Sequence, residues 1–323
     1  MQEPVSCHAI ALAVVAVAFA FDLAIGDPPS RLHPVVWMGL VIELLKKLNR
    51  GLPRRRRLLG ALAVVIAIAV FALPSFLALK LLRDASVLAY AVLGGMAFKF
   101  TFAFRSLADY TRPIAEMLEK GDVEGAKKYL PFIVRRDPSK LDEKLIVSAA
   151  VESIAESTID GITSPLFYYA LLGIPGAYAF RVVSTLDSMV GYKTEELKDF
   201  GWLSAKLDTL LNFLTARLTA LLIALTAWFL GLNARQGLKV TLRDHSKTES
   251  LNAGWPMSAM AGVLGVKLVK PGSYELGDPI NELEPIHILQ AIRVMRVTVL
   301  FFAIIICLPL IALRCALLCE WVV

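Results

Sequence analysis

The chain has 323 residues, of which 57% are hydrophobic and 19% charged, and its formal net charge is +6. Soluble domains contain about 45–50% apolar and about 25% charged residues, so the composition excludes a soluble, disordered or fibrous chain and indicates a membrane protein. The excess of Lys and Arg is typical of cytoplasmic loops, and we expect no nucleic-acid partner. The four cysteines have no CxxC spacing, so neither a disulfide nor a cysteine metal site is expected.

Apolar stretches recur along the chain. A helix that spans a bilayer needs about 20 mostly apolar residues, and five stretches qualify. These are residues 9–26, 58–82, 86–104, 212–232 and 297–319. A weaker stretch, 162–183, is interrupted by prolines and glycines. The sequence therefore predicts an all-α polytopic membrane protein with five to six membrane segments, some of them broken or re-entrant, plus cytoplasmic helices. We treat residues 1–323 as a single integral-membrane domain.

Basic residues set the predicted orientation. Seven of them separate the first two spans, and the positive-inside rule places this loop in the cytoplasm and the N-terminus outside. The seven are Lys46, Lys47, Arg50, Arg54, Arg55, Arg56 and Arg57. Residues 105–160 and 233–296 are then the main cytoplasmic parts. Because the chain between them must cross an even number of times, 162–183 is either a span or a partner in a re-entrant pair with 212–232.

The segments between the predicted spans contain two predicted helices and one predicted loop. Segments 105–130 and 139–160 are predicted to be helical, the second one starting after the sequence Asp137-Pro138-Ser139. Residues 267–285 combine glycines and prolines with polar residues and predict an ordered loop.

The first polar block is GDPPSRLHPVVWMG, residues 26–39. Its prolines stiffen the backbone, and Asp27 and His33 are polar groups that it could present to a ligand. The alternative is a helix-breaking turn that leaves the membrane.

The second block, ESIAESTIDG (152–161), spaces Glu152, Glu156 and Asp160 four residues apart. On an α-helix this spacing drifts by only about 40° per step, so the three carboxylates line one face. Like charges at that spacing destabilise a helix, and we therefore expect a compensating cation. Oxygen ligands of this kind suit Mg²⁺ bound together with phosphates. The alternative is a solvated acidic face.

The third block, STLDSMVGYK (184–193), brings Asp187, Tyr192 and Lys193 next to an apolar segment. An acidic residue near the membrane is unfavourable unless it is paired or functional. The alternative is a helix cap, since Ser184 and Thr185 also suit that position.

The fourth block, RDHSKTESLNAGWP (243–256), is a dense run of hydrogen-bonding groups. Such a run suits anionic ligands, because Arg and Lys bind phosphate oxygens. No Walker A sequence occurs in the chain. The alternative is a plain polar loop between helices.

Taken in order, these blocks resemble the adenosylcobinamide-phosphate synthase family of cobalamin biosynthesis, often called CbiB or CobD. The resemblance covers about residues 20–275. Besides the four blocks it includes the RRD of 135–137, FGWLSAKLD from 200, and MSAMAG from 257. The chain departs from the family pattern at Ser157 and Ser184, where Asn is usual.

The resemblance implies a multi-pass ligase of the cytoplasmic (inner) membrane. Its substrates would be adenosylcobyric acid and aminopropanol phosphate (or aminopropanol), with ATP as cosubstrate and Mg²⁺ as cofactor. Activation of the propionate carboxylate as an acyl phosphate would make it a competent electrophile for the amine. The lipid bilayer is the further partner, and a homo-oligomer or an association with other membrane enzymes of the pathway is expected.

On this hypothesis the polar residues fall into three groups. The metal ligands are Glu152, Glu156 and Asp160. Asp187, Asp244 and His245 are catalytic, and His245 or an Asp assists deprotonation of the amine. The residues that bind substrate and phosphate are Asp27, His33, Tyr192, Lys193, Arg243, Lys247, Ser250 and Asn252.

The four blocks are expected to converge on one polar cavity at the cytoplasmic membrane edge, with residues 184–211 folding back towards it. The alternative function is a transporter of corrinoids or other small molecules, or a signalling protein, on a related scaffold. That alternative would place acids within the spans and would not need the block at 243–254. A purely structural subunit would leave the blocks unexplained.

Overall fold

The computed structural model describes residues 6–48, 55–134, 136–192, 194–195 and 197–317. Arg50, Arg54, Arg135 and Lys193, which the sequence analysis singled out, lie outside the described residues. Within those ranges the chain is almost entirely helical. The helices are α1 (Cys7–Ile25), α2 (Pro34–Leu48), α3 (Arg56–Ala85), α4 (Val87–Lys99), α5 (Phe104–Glu119), α6 (Val123–Tyr129), α7 (Glu143–Thr158), α8 (Ser164–Val190), α9 (Trp202–Phe229), α10 (Ala234–Asp244), α11 (Gly254–Leu264), α12 (Ile286–Phe301) and α13 (Leu308–Leu317).

Six helical segments of the described chain are long and apolar enough to cross a membrane. They are Cys7–Ile25, Arg56–Ala85, Val87–Glu119, Glu143–Val190, Trp202–Phe229 and Ile286–Leu317. Each contains or overlaps one of the predicted stretches, and the prediction of an all-α, polytopic membrane protein is confirmed. The fifth segment begins at Trp202 instead of residue 212, because polar residues of its first turns continue the same helix.

Helix α8 is not straight. Gly173 has φ 70° and ψ −163°, a conformation that glycine adopts readily because it has no Cβ. The rings of Tyr168 and Phe180 stack with centroids 5.2 Å apart, although twelve residues of straight helix would separate them by about 18 Å. The chain therefore reverses at Gly173, and α8 is a helical hairpin. The two halves of α8 therefore pair with each other, and residues 162–183 do not form a single straight helix.

Contacts within the chain define two compact units. The first comprises the described residues of Met1–Ala103, Ser164–Leu211 and Ile306–Val323, and the second those of Phe104–Thr163 and Asn212–Ile305. The interpretation of residues 1–323 as one integral-membrane domain, with 105–160 and 233–296 in the cytoplasm, stays a prediction.

In the first unit, α1 lies along α4, and α3 lies along α8. Gly95 of α4 is so close to α1 that an added Cβ would lie 2.5 Å from Cγ1 of Val17. A small residue permits this approach, as is common between membrane helices. Helix α13 contacts both α1 and α8.

A disulfide joins the first and last helices of this unit. Cys7 at the start of α1 is bonded to Cys315 in α13, with Cα atoms 5.8 Å apart. The expectation that the cysteines form no disulfide was wrong for this pair. The two residues are 308 positions apart, so sequence spacing carries no signal of their proximity.

In the second unit, α7 contacts α5, α11 and α12, and α10 lies along α11. The predicted loop at 267–285 contains a two-stranded antiparallel hairpin of β1 (Leu268–Lys270) and β2 (Tyr274–Leu276). Strand β1 lies against α7. This helix begins at Glu143, where Asp142 accepts a hydrogen bond from the amide of Leu145 (2.8 Å), whereas Asp137 caps only a short 3₁₀ turn.

Candidate active site

A group of charges centred on a buried lysine lies in the first unit, and we call it the Lys99 cluster. Its members are Lys99 at the end of α4, Asp22 in α1, and Asp27 and His33 of the first polar block. Lys99 is only 3% exposed and forms ion pairs with Asp27 and with Asp22, whose Oδ1 lies 3.6 Å from Nζ. The His33 Nε2 is 3.6 Å from Oδ1 of Asp27.

Lys99 faces both carboxylates of this cluster and compensates part of their charge. Charged groups in an apolar interior need partners because their desolvation is unfavourable. Lys99 also lies in the last turn of α4, where the helix dipole favours a cation. The sequence analysis found Asp27 and His33 but missed Lys99 and Asp22. Their signal was a charge within each of two predicted spans, 9–26 and 86–104.

The first polar block is also a turn, as its alternative reading proposed. The chain leaves α1 at Gly26, and Nδ1 of His33 accepts a hydrogen bond from the amide of Val35 (3.2 Å) at the start of α2. His33 therefore caps a helix through one ring nitrogen while the other faces Asp27. The two interpretations of this block are compatible.

The third block ends the hairpin of α8. Helix α8 continues through Ser184 and Thr185, so neither starts a helix, and the capping alternative is wrong. An added Cβ at Gly191 would lie 2.0 Å from Oδ1 of Asp187, which places the carboxylate against the backbone where the helix ends. Tyr192 is exposed just beyond it.

The second block forms a network centred on Glu152, which is 2% exposed. Its carboxylate accepts hydrogen bonds from Oγ of Ser148 (2.7 Å) and Oη of Tyr274 (2.7 Å) and is paired with Arg136. Ser148 in turn accepts the amide of Val269 (2.7 Å). The network therefore holds the β1–β2 hairpin on α7. Burial and the adjacent Glu152 carboxylate raise the pKa of Tyr274 well above its ordinary value.

The three carboxylates predicted to bind a metal ion have different surroundings in the structure. Among the residues that the structure describes, no group of three or more His, Cys, Asp or Glu side chains could hold a metal ion. Glu152 pairs with Arg136 and accepts hydrogen bonds from two hydroxyl groups. Arg136 is therefore the compensating cation that the sequence predicted. Asp160 lies in a π-helical turn, Ile159–Thr163, which breaks the 3.6-residue period used to place it. Glu156 is exposed, and its electrostatic neighbours are Lys270, Glu152 and Arg136.

The fourth block forms what we call the Asp244 hub. Asp244 is fully buried, and Arg243 binds it through two hydrogen bonds of 2.8 and 2.7 Å. Nζ of Lys247 lies 2.6 Å from Oδ1, and the amide of Gly277 donates to Oδ2 (2.8 Å). Arg243 also binds both carboxylate oxygens of Asp278. The two cations thus face two carboxylates, and their charges balance.

The contacts of the hub determine whether Asp244 can accept a proton. Burial alone would raise the pKa of Asp244, but hydrogen bonds from Arg243, Lys247 and Gly277 outweigh burial and hold that pKa well below its usual range. Asp244 therefore stays ionised near neutral pH and is a poor proton acceptor. It orients Arg243 and Lys247, whose side chains are still 40% and 45% exposed.

A stacked arrangement of rings, which we call the tryptophan stack, lies beside the hub in the second unit. The imidazole of His245 stacks on the indole of Trp255 with centroids 4.2 Å apart. The guanidinium of Arg217 lies 4.8 Å from the centroid of Trp255 and 3.4 Å from that of Phe213. Nη1 of Arg217 donates to Oδ1 of Asn252 (3.3 Å).

Arg217 is the functional candidate that the sequence analysis missed. It is half-buried in the middle of α9 and has no carboxylate partner among the described residues. The indole Nε1 of Trp255 is buried and has no hydrogen-bond partner in the same ranges. A cation and an N–H donor without an acidic partner suit an anionic oxygen ligand. An isolated Arg in the predicted span 212–232 was the available signal.

Ser250 and Asn252, predicted to bind substrate, have local contacts as well. Oγ of Ser250 accepts the amides of Asn252 and Ala253 at the start of α11, at 3.3 and 3.2 Å. Gly254 is required here, because an added Cβ would lie 2.0 Å from the carbonyl oxygen of His245.

The structure thus brings together the residues of the second unit in neighbouring networks, and those of the first block around Lys99. Asp187 belongs to the first unit, and Glu156 and His245 belong to the second. The convergence of all blocks on one cavity stays a prediction.

Comparison with known proteins identifies the family of the chain. The family model described as "CobD/Cbib protein" matches residues 15–295. A "Probable cobalamin biosynthesis protein CobD" of Methanothermobacter thermautotrophicus is 39% identical over 91% of this chain and 96% of its own length. The "Cobalamin biosynthesis protein CobD" of Dehalococcoides mccartyi is 40% identical over 85% and 89%, and a Thermoplasma acidophilum relative is 38% identical over 91% and 95%. No solved structure matches the chain.

Fold and site together define a multi-pass helical membrane protein with buried charge networks and, within the described ranges, an arginine at a polar cluster that has no carboxylate partner. Within that class, the chain belongs to the CobD/CbiB family.

Proposed function

We propose that this protein is an enzyme of cobalamin biosynthesis, an ATP-dependent ligase that forms adenosylcobinamide phosphate. It would join aminopropanol phosphate to the free propionate carboxylate of adenosylcobyric acid. Membership of the CobD/CbiB family and the names of its relatives support the pathway. The observation that carries the site is Arg217 on Trp255, a cation without a carboxylate partner in the described chain.

The proposed chemistry has two steps. The propionate oxygen attacks the γ-phosphorus of ATP, which forms an acyl phosphate and releases ADP. The amine nitrogen then attacks the acyl carbon, the C–O bond to phosphate breaks, and the amide and inorganic phosphate form. One proton leaves the nitrogen during the second step. Charge stabilisation at the phosphoryl group is the main requirement of the first step.

We assign the residues of the second unit to that requirement. Arg217 holds an anionic oxygen of the substrate, and the exposed N–H groups of Arg243 and Lys247 contact phosphate. Asp244 is a positioning residue, since it orients these two cations and stays ionised. His245, fixed by its stack on Trp255, receives the proton of the amine. Ser250 and Asn252 complete the polar wall.

Magnesium enters the proposal as the ion that accompanies ATP. Mg²⁺ is usually bound by one or two carboxylates together with substrate phosphates. Glu156, which is exposed, and Asp160 are the carboxylates we propose for contact with it, whereas Glu152 is committed to Arg136 and Tyr274. When bound, Mg²⁺ would neutralise negative charge on the phosphates.

We propose a location in the cytoplasmic membrane with the N-terminus outside. The basic loop before α3 supports this orientation, and the segment after α8 lies at the same end of the first unit. Nε of Arg57 binds Oδ1 of Asp199 (2.8 Å), and Nε1 of Trp202 donates to the carbonyl of Arg57 (3.0 Å). The reversal at Gly173 explains how the third block would return to that side.

On this topology, Asp27, His33, Tyr192 and Asp187 of the first unit face the cytoplasm, and we propose them as the functional residues of that unit. Lys193 is proposed with them. A homo-oligomer or an association with neighbouring membrane enzymes of the pathway would bring the corrinoid from one active site to the next.

Amide formation by the purified full chain tests the proposal. We would incubate it with ATP, Mg²⁺, adenosylcobyric acid and either amine, and identify the corrinoid product by mass. Arg217→Gln is expected to lower kcat/KM about 100-fold, a typical effect of removing a charged contact in the transition state. Arg235→Gln, at an exposed site of α10, is the matched control and is expected to keep activity. Absence of ATP-dependent product from the wild type would reject the ligase.

The Mg²⁺ assignment has its own test. Glu156→Gln keeps the shape of the side chain and removes its charge. We expect turnover to fall by orders of magnitude and the Mg²⁺ concentration for half-maximal activity to rise, while expression and folding persist. An unchanged Mg²⁺ response would exclude Glu156 from contact with the ion.

The alternative is a transporter of corrinoids, which the Lys99 cluster favours because it places an acid, Asp22, and a cation, Lys99, within apolar helices. Vesicles containing the purified chain would distinguish the two functions. Flux of cobinamide without a chemical change would support transport, and ATP-dependent amide formation supports the ligase.

A further inference from the structure

A groove of about 430 Å³ between α5 and α12, within the second unit, is lined by three arginines. We call it the arginine groove. Its lining residues are Arg112, Glu116, Leu289, Ile292, Arg293 and Arg296. None of these residues belongs to the networks of the candidate active site.

The three guanidinium groups lack ion-pair partners in the described part of the chain. All three arginines are exposed, and none forms an ion pair within the residues that the structure describes. Glu116 is the one acid of the lining, so the groove carries two positive charges in excess. Leu289 and Ile292 supply an apolar floor between the charges. A cationic rim above an apolar floor is complementary to a group with an anionic head and an apolar body.

The groove lies beside the start of the most apolar part of the segment that contains α12. Directly after Arg296 the chain becomes apolar, and Leu300, Ile304 and Ile305 are exposed (55%, 48% and 45%) on the segment that is long enough to span a bilayer. Exposed apolar side chains on such a helix face lipid. Arg293 and Arg296, one turn apart, therefore occupy the level of the lipid headgroups.

An exposed aromatic pair marks the same level on α5. Tyr110 stacks on Phe132 with centroids 5.5 Å apart, and both are exposed. Tyr110 precedes Arg112 by two residues, which is about 3 Å along the helix axis. Exposed aromatic rings concentrate at membrane–water interfaces. Two independent elements thus place the arginine groove at the membrane surface.

We propose that the arginine groove binds the phosphate of an anionic phospholipid, with Arg112, Arg293 and Arg296 around the headgroup and the acyl chains beside the apolar part of α12. Basic pockets between membrane helices bind anionic headgroups in this way. The site is separate from the proposed ligase activity, and a lipid-binding measurement tests it without substrate.

Native mass spectrometry of the detergent-purified full chain is the measurement. The protein is incubated with phosphatidylglycerol or phosphatidylcholine, and the retained lipid is counted. We expect retention of phosphatidylglycerol over phosphatidylcholine. Each arginine near the surface contributes about fivefold in affinity, so the double variant Arg293→Gln/Arg296→Gln should lower phosphatidylglycerol retention about 25-fold. Arg235→Gln is the matched control and should retain phosphatidylglycerol like the wild type.

A second variant distinguishes loss of the lipid site from misfolding, because it is expected to increase lipid retention. Glu116→Gln removes the acid that repels the phosphate and should raise phosphatidylglycerol retention severalfold, and unchanged or lower retention would contradict the proposal. If the folded double variant still retained phosphatidylglycerol over phosphatidylcholine as strongly as the wild type, the lipid proposal would be overturned. Excess inorganic phosphate distinguishes the source of the phosphate group. Full displacement of phosphatidylglycerol by phosphate would identify a site for soluble anions and overturn the lipid assignment, and retained lipid supports it.

Discussion

The Lys99 cluster of the first unit and the Asp244 hub of the second use the same charge chemistry in different surroundings. Lys99 and Asp22 are buried within apolar helices, and no side chain of the pair reaches solvent. Asp244 is equally buried, but its partners Arg243 and Lys247 remain partly exposed.

The difference shows where each network gets its stability. In the Lys99 cluster the buried Asp22 carboxylate depends on the equally buried Lys99, so removal of the lysine leaves Asp22 desolvated without this cation. In the hub the cations can return to water when the carboxylate is lost. We therefore expect the first unit to be sensitive to loss of charge mainly through folding, and the second mainly through activity.

The largest expected effect is that of Lys99→Met. It removes the cation that faces Asp22 and Asp27, and breaking a buried ion pair on one side destabilises by about 3–5 kcal/mol. Chemical unfolding in detergent measures the change. Lys99→Met/Asp22→Asn should recover part of the loss, since fewer buried charges remain unpaired. Lys80→Met, at an exposed site of α3, is the control, and an equal loss there would refute the comparison.

Asp244→Asn is expected to destabilise less, by about 2–3 kcal/mol, because its partners are partly exposed. The pKa of Asp244 is lowered by Arg243 and Lys247. A carboxylate with a lowered folded-state pKa contributes stability above its unfolded pKa of about 3.9 and loses it as the pH falls through the folded value. The gap between wild type and variant should stay constant from pH 7 to about pH 4 and narrow below.

Unfolding at several pH values measures that gap. A gap that stays constant below pH 4 as well would show that Asp244 titrates near its ordinary value in the folded state and that the hub does not lower its pKa.

Gly254→Ala tests how closely the tryptophan stack is packed. Its Cβ would lie 2.0 Å from the carbonyl oxygen of His245, so the backbone between the two must shift. We expect destabilisation of about 2 kcal/mol and a larger fractional loss of ligase activity, since His245 moves with its carbonyl. Gly272→Ala, where nothing lies within 4 Å but φ is +73°, controls for backbone strain. Equal activity losses in both variants would argue against a specific effect on the stack.

The smallest expected effect is that of Tyr274→Phe, which removes one hydrogen bond to Glu152. Hydrogen bonds to charged groups contribute about 1.5 kcal/mol or more, and Arg136 and Ser148 remain on the carboxylate. Stability should fall by about that amount, with the Mg²⁺ response unchanged. A shift in the Mg²⁺ requirement would show that Glu152 contacts the ion and not only the hairpin.

Hydropathy and composition, which are local, predicted the segments of the fold. Apolar runs of spanning length gave the positions of the helices, and the prolines and glycines of 162–183 located the break in α8. The same local patterns identified Asp27, His33 and the polar run of 243–256. The order of the polar blocks was sufficient to identify the family. All of these properties depend on residues close together in the chain.

The tertiary structure decided which of these residues have partners. It paired Cys7 with Cys315, Lys99 with Asp22, and Glu152 with Arg136 and Tyr274. It also reversed the chain at Gly173. The free energy of a charge or a hydrogen-bonding group depends on desolvation and on the neighbours within a few ångströms, which come from distant parts of the sequence. For that reason the sequence identified Glu152 as a charge that needs a cation, and only the fold showed that the cation is an arginine.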